Sequence, residues 1–168
     1  MNGFNLQEKE AEIQELLPKM FDALLSIRPA DEKSRTGIQC CIKEPHSRNI
    51  IMPKAYQPSP VALHFCSEKI VRAYEHRYYS SRVNADPKKF EFAGGLIYKD
   101  GDIELHSGTS GMTEDEDEMI SFVNLTRVLK QSPGDVFGMI YPTKKDVPEC
   151  VFNTNGYIWK TLLSFCYY

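Results

Sequence analysis

Residues 90–118 read FEFAGGLIYKDGDIELHSGTSGMTEDEDE, and two signals inside them decide the fold class. The first is Lys99-Asp100-Gly101-Asp102, set between the strand-like runs 90–98 and 103–105, which predicts a β-hairpin. Asp-Gly is a strong short-range hairpin signal because a type I′ turn needs positive φ at both central residues. The second is Thr113 followed three residues later by Glu116, the pattern of a capping box, so a helix is predicted to begin there. Acids over 114–118 suit the positive end of that helix dipole and read as a solvated helix start. Met119, Ile120, Val123 and Leu129 supply its buried face.

Working outward, Ile13, Leu16, Leu17, Met20, Phe21, Leu24 and Leu25 recur at spacings of three and four, which predicts an amphipathic helix over 6–27. Pro18 removes a donor inside it, so a kink or a second helix start is expected there. Residues 28–36 read as a polar loop. Ile38, Cys40 and Ile42 alternate with Gln39, Cys41 and Lys43, a strand with one buried face, and a second short strand follows over 49–52. Residues 53–58 read as loop. Ser59-Pro60 suits a helix start, and a helix over 60–79 is predicted to bury Leu63, Cys66, Ile70, Ala73 and Tyr74. Ser132-Pro133-Gly134 stops the third helix, 136–141 reads as a strand, and an aromatic-rich tail closes the chain. That order of elements argues for an α+β domain over 1–168, an antiparallel sheet with helices packed on it, with a core over 6–131 and a tail over 132–168.

The set Gly94-Gly95, Asp100-Gly101, Gly108-Thr109-Ser110-Gly111 and Asp117-Glu118 resembles the GlcG/HbpS family, which includes the C-terminal domain of PduO-type proteins. The resemblance implies a profilin-like or PAS-like fold, frequent homo-oligomerisation, and binding of a small ligand, with haem or a related tetrapyrrole the best-known class. It is dense only over 90–118. The chain departs from the family at Lys69-Ile70-Val71-Arg72-Ala73 and at Glu104-Leu105-His106, and the tail from Ser132 has no counterpart. The residues alone allow the same use: glycines bring backbone close to a ligand, and amides at the next helix start suit an anion. The candidate ligand-binding residues are therefore Gly94, Gly95, His106, Gly108, Thr109, Ser110 and Gly111, with His106 the candidate axial ligand for a haem iron.

Other chemistries find less in the chain. Cys66-Ser67-Glu68 is faintly similar to the first motif of zinc deaminases, but Pro148-Glu149-Cys150 is followed by Asn153 where a second cysteine is needed. Ser110 lacks the second glycine of a nucleophile elbow, since Met112 stands there. Residues 114–118 lack the alternating ligands and central glycine of a calcium loop. A protein-interaction role for the tail aromatics Tyr157, Trp159, Phe165, Tyr167 and Tyr168 is the remaining alternative.

Composition narrows the partners. A formal net charge of -3 over 168 residues, with basic residues scattered, gives no nucleic-acid footprint. No apolar run reaches membrane-spanning length, and the first ten residues lack a signal-peptide layout, so a soluble, cytoplasmic protein is expected. Five cysteines, two of them adjacent, read as reduced packing thiols.

Overall fold

A computed structural model describes residues 4–29, 34–75, 80–141 and 156–167. Within them helix α1 (Glu10–Ser26) is followed by strands β1 (Gly37–Glu44), β2 (Asn49–Ile51) and β3 (Lys54–Tyr56), and then by helix α2 (Ala62–Glu75). Strands β4 (Gly95–Asp100) and β5 (Ile103–Ser110) precede helices α3 (Glu114–Leu129), α4 (Pro133–Ile140) and α5 (Tyr157–Leu162). The sheet runs β2-β1-β5-β4 with every pairing antiparallel, and β3 pairs the first part of β1 beside β2. The protein is thus α+β, a central antiparallel sheet flanked by helices in a profilin-like or PAS-like arrangement.

The sheet is covered on both faces. Ile38, Cys40, Ile42, Leu96, Tyr98 and Leu105 share one core with α1, α3, α4 and α5, whereas Cys41 and Ile97 pack with Cys66, Ile70 and Ala73 of α2 on the other face. This corrects the one-sided reading of β1, in which Gln39 and Cys41 are as buried as their neighbours. A polar residue on an alternating strand marks a solvated face only when nothing covers it.

Several boundaries also move. α1 continues through Pro18 without a break in the helix; the missing N–H leaves the carbonyl of exposed Gln14 without its usual i→i−4 donor. Residues 53–58 include strand β3, whose Ala55 faces Ile38 of β1. α2 begins at Ala62, and in it Leu63 and Tyr74 are exposed while Lys69 and Arg72 are buried. Residues 76–79, the predicted end of that helix, lie outside the described residues. The run 136–141 belongs to helix α4 and its C-cap instead of a strand: Ser132 caps it by accepting from Asp135 N, and Pro133 stands in its first turn. Ile158, Leu162 and Cys166 of the tail enter the same core as α1 and α3, with Trp159 and Phe165 packed against it.

The hairpin forms at the predicted place. Asp100 faces Ile103, Gly101 takes φ +57, and Asp102 is not among the positive-φ residues, so the turn has the φ pattern of type II′ instead of type I′. Strand β4 starts at Gly95, later than predicted, and β5 runs on to Ser110, so Gly108 and Thr109 are strand residues and not loop.

The capping box at the start of α3 is complete, with Thr113 Oγ1 accepting from Glu116 N and Glu116 Oε2 accepting from Thr113 N at 3.0 Å. Thr113→Ala is expected to lower stability by about 1 kcal/mol, read as a reduced midpoint of thermal or urea unfolding. An unchanged midpoint would mean that the helix start is held by its ion pairs alone.

Candidate functional site

Three consecutive acids in the first turns of α3 are buried, not solvated: Glu116, Asp117 and Glu118 are at most 3 % exposed. Successive helical residues are turned by about 100°, so the three side chains meet three different segments. Glu116 pairs with Arg28 beyond α1, Asp117 with Lys69 of α2 at 3.1 Å, and Glu118 with Arg82. Glu118 Oε1 also accepts from Ser80 Oγ at 2.8 Å and from Tyr141 Oη at 2.5 Å. The start of α3 is therefore a fixed point to which the surrounding chain is tied.

Lys69 is the least expected member. Its Nζ donates to Thr109 O at 2.7 Å and to Asp117 Oδ2 at 3.1 Å, while Asp117 Oδ1 accepts from Met112 N at 3.0 Å. Burial pushes the Asp117 carboxyl above its ordinary value, against the pull of the Lys69 ammonium. The sequence carried a signal for this lysine: it sits three residues after Cys66 and four before Ala73, on the helix face that meets the sheet.

A cleft of about 530 Å³ opens where β1 begins, β5 ends and the N-terminal parts of α2 and α3 converge. Lys69 and Asp117 lie in its lining, with Val61, Phe65, Phe92 and Met112 as apolar wall. Phe65 and Phe92 meet edge to face, centroids 5.9 Å apart. Phe92 is held from both sides of its peptide: Arg72 Nη2 donates to its carbonyl at 2.5 Å, and the next amide, Ala93 N, donates to Glu114 Oε1 at 2.8 Å. Arg35 lines the cleft and two adjoining hollows, is exposed, and has no ion-pair partner among the described residues.

The seven residues singled out in the sequence separate. Ser110 and Gly111 line the cleft; Gly111 takes φ +140 where it crosses over Gly37, whose carbonyl oxygen would be 2.4 Å from an added Cβ. Gly94 adjoins both Lys69 and Asp117, and its carbonyl accepts from Ser121 Oγ at 2.7 Å. Gly95 and Gly108 face each other across the hairpin and lie directly beneath the α2 backbone, so they serve close helix-on-sheet packing. The Thr109 hydroxyl is in the core, 2.7 Å from Ser121 Oγ and 3.4 Å from Cys40 Sγ.

His106 is apart from the cleft. It lies four residues back from Ser110 along β5, about 13 Å at strand rise, with its Nε2 2.7 Å from Glu104 Oε1 and its ring beside Tyr74. Burial holds the imidazole below its ordinary value although Glu104 acts the other way. The amides at the start of α3 that suited an external anion are partly engaged by the chain's own carboxylates, Met112 N by Asp117 and Thr113 N by Glu116.

The remaining candidates have plain positions. Cys66 is buried with its thiol donating to Gln39 O at 3.1 Å, and burial pushes it far above the ordinary thiol range; burial likewise raises Cys40 to about 12. Both are therefore neutral packing thiols. Cys150, the other cysteine of the deaminase-like reading, lies outside the described residues, as does Tyr168 of the tail. Among the described residues no helix is long and apolar enough to cross a membrane.

No family model matches the chain, and neither a curated protein nor a solved structure does.

Proposed function

We propose that the chain is a small-ligand-binding domain whose cleft takes an amphipathic organic molecule bearing a carboxylate. The observation that carries the reading is Arg35: it is a guanidinium with no ion-pair partner among the described residues, at the edge of a cleft walled by Val61, Phe65, Phe92 and Met112. A guanidinium presents a planar fork of donors that matches a carboxylate bidentately. Ser34, Thr36 and Ser110 line the same cleft, and their hydroxyls have no hydrogen-bond partner among the described residues. Apolar walls with a few convergent polar groups are the usual make-up of a ligand site, and the cleft volume lies within the usual range.

A haem belongs to this chemical class through its planar body and its propionates, and the resemblance of residues 90–118 to GlcG/HbpS domains favours it. The cleft offers Arg35 to a propionate and the Phe65–Phe92 pair to the ring, whereas His106, the candidate axial ligand, is outside the cleft and engaged by Glu104.

The test is titration calorimetry of the full chain with 3-phenylpropionate as probe, and a parallel haemin titration followed in the Soret region. The probe is expected to bind, and Arg35→Ala to weaken it by about tenfold, the scale of one charge-assisted hydrogen-bonded pair. If haemin occupies the cleft, its spectrum responds to Arg35→Ala and not to His106→Ala. Failure of both compounds to bind at millimolar concentration, or equal binding by Arg35→Ala, would remove the proposal.

A further inference from the structure

Resting on that reading, we infer that the preferred ligand is a zwitterion, an α-amino acid with an apolar or aromatic side chain, whose carboxylate meets Arg35 and whose ammonium meets Glu114. Four charged side chains line the cleft: Arg35, Lys69, Glu114 and Asp117. Lys69 and Asp117 neutralise each other within the wall. One cation and one anion are left, and neither has an ion-pair partner among the described residues. Glu114 Oε1 accepts from Ala93 N, and its second carboxylate oxygen takes part in no hydrogen bond within the described residues. Glu114 is half-buried, so its charge acts in a less screened setting than one at the open surface.

The charge balance sets the class. A ligand carrying only a carboxylate would satisfy Arg35 and face the Glu114 carboxylate unfavourably, and one carrying only an amine would do the reverse. A zwitterion answers both, and the Phe65–Phe92 pair with Val61 and Met112 receives its side chain. The hydroxyls of Ser34, Thr36 and Ser110 complete the hydrogen-bonding complement around its polar end.

Three probes of one size separate the possibilities by calorimetry on the full chain: L-phenylalanine, 3-phenylpropionate and 2-phenylethylamine. L-Phenylalanine is expected to bind about tenfold or more tightly than either singly charged analogue, as befits one additional charge-assisted contact. Glu114→Gln keeps an acceptor for Ala93 N and so the fold; it is expected to erase the advantage over 3-phenylpropionate while leaving that compound unimpaired or improved. If 3-phenylpropionate binds as tightly as phenylalanine to the wild type, or if Glu114→Gln leaves the preference intact, the zwitterion assignment is overturned while the carboxylate cleft stands. If none of the three binds, the zwitterion assignment falls, and the carboxylate cleft falls with it when haemin also fails to bind.

Discussion

Lys69→Met is expected to destabilise the protein by about 3–5 kcal/mol, because it leaves Asp117 buried without its counter-charge. Lys69 is 2 % and Asp117 3 % exposed, so water replaces little of what the ammonium supplies. The substitution also removes the donor to Thr109 O at the end of β5. Lys69→Met/Asp117→Asn is expected to recover most of the loss, since the amide oxygen still accepts from Met112 N and no lone charge remains.

The same pair makes the deficit depend on pH. Burial, only partly opposed by Lys69, holds the folded Asp117 carboxyl above its ordinary value of 3.8. The native state therefore holds this proton more tightly than the unfolded chain. The group's contribution is complete below 3.8 and is lost as pH rises through the raised folded value. Without Lys69 that folded value climbs further. The gap between Lys69→Met and wild type is thus smallest in acid, where Asp117 is neutral, and widens toward neutral pH. Urea unfolding of both proteins at about pH 5 and about pH 8 reads the gap directly. A gap equal at the two values, or below about 1 kcal/mol at the higher one, would mean that Asp117 is not stranded as described.

What could be read from sequence follows from how local each signal is. The α1 stripe, the Asp100-Gly101 hairpin and the Thr113–Glu116 box are all contained within a few residues, and all three formed. Residues 136–141 misled because a short apolar run carries no period; Ser132-Pro133 already held the start signal of α4. Gly95 opposite Gly108 was within reach as well, since a two-residue turn after Asp100 fixes that register. What could not be seen was that α2 lies across those two glycines.

The site was less legible than the fold for the same reason. Ser110 and Gly111, which line the cleft, stand out in the sequence because glycine next to a strand end is a visible anomaly. By sequence Arg35 reads as a residue of a polar loop, and Glu114 and Asp117 read as solvated acids at a helix start. Their environment is set by residues distant in the chain: Asp117 by Lys69, Glu114 by Ala93, and Phe92 by Arg72. Charge type alone indicates an exposed position; only the partner, supplied by another element, reverses it.

Gly108→Ala is expected to cost about 3 kcal/mol, the upper part of the range for overpacking. An added Cβ would lie 2.4 Å from Cys66 O and 3.1 Å from Ile70 Cδ1, and the nearer atom is α2 backbone, which cannot rotate away as a side chain tip can. Gly95→Ala meets the same helix at Lys69 C, 2.7 Å away, and is expected to behave alike. Gly138→Ala is the opposing control: it is exposed on α4 with nothing within 4 Å, so its methyl group gains helix propensity, up to about 1 kcal/mol. Lifting α2 also displaces Ala62, Phe65 and Lys69 in the cleft wall, so Gly108→Ala is expected to weaken the calorimetric probes as well. Urea midpoints for the three variants distinguish a helix seated on bare backbone from one held off by side chains. Wild-type stability in Gly108→Ala would show that α2 does not rest on β5, and the cleft built on that contact would lose its wall.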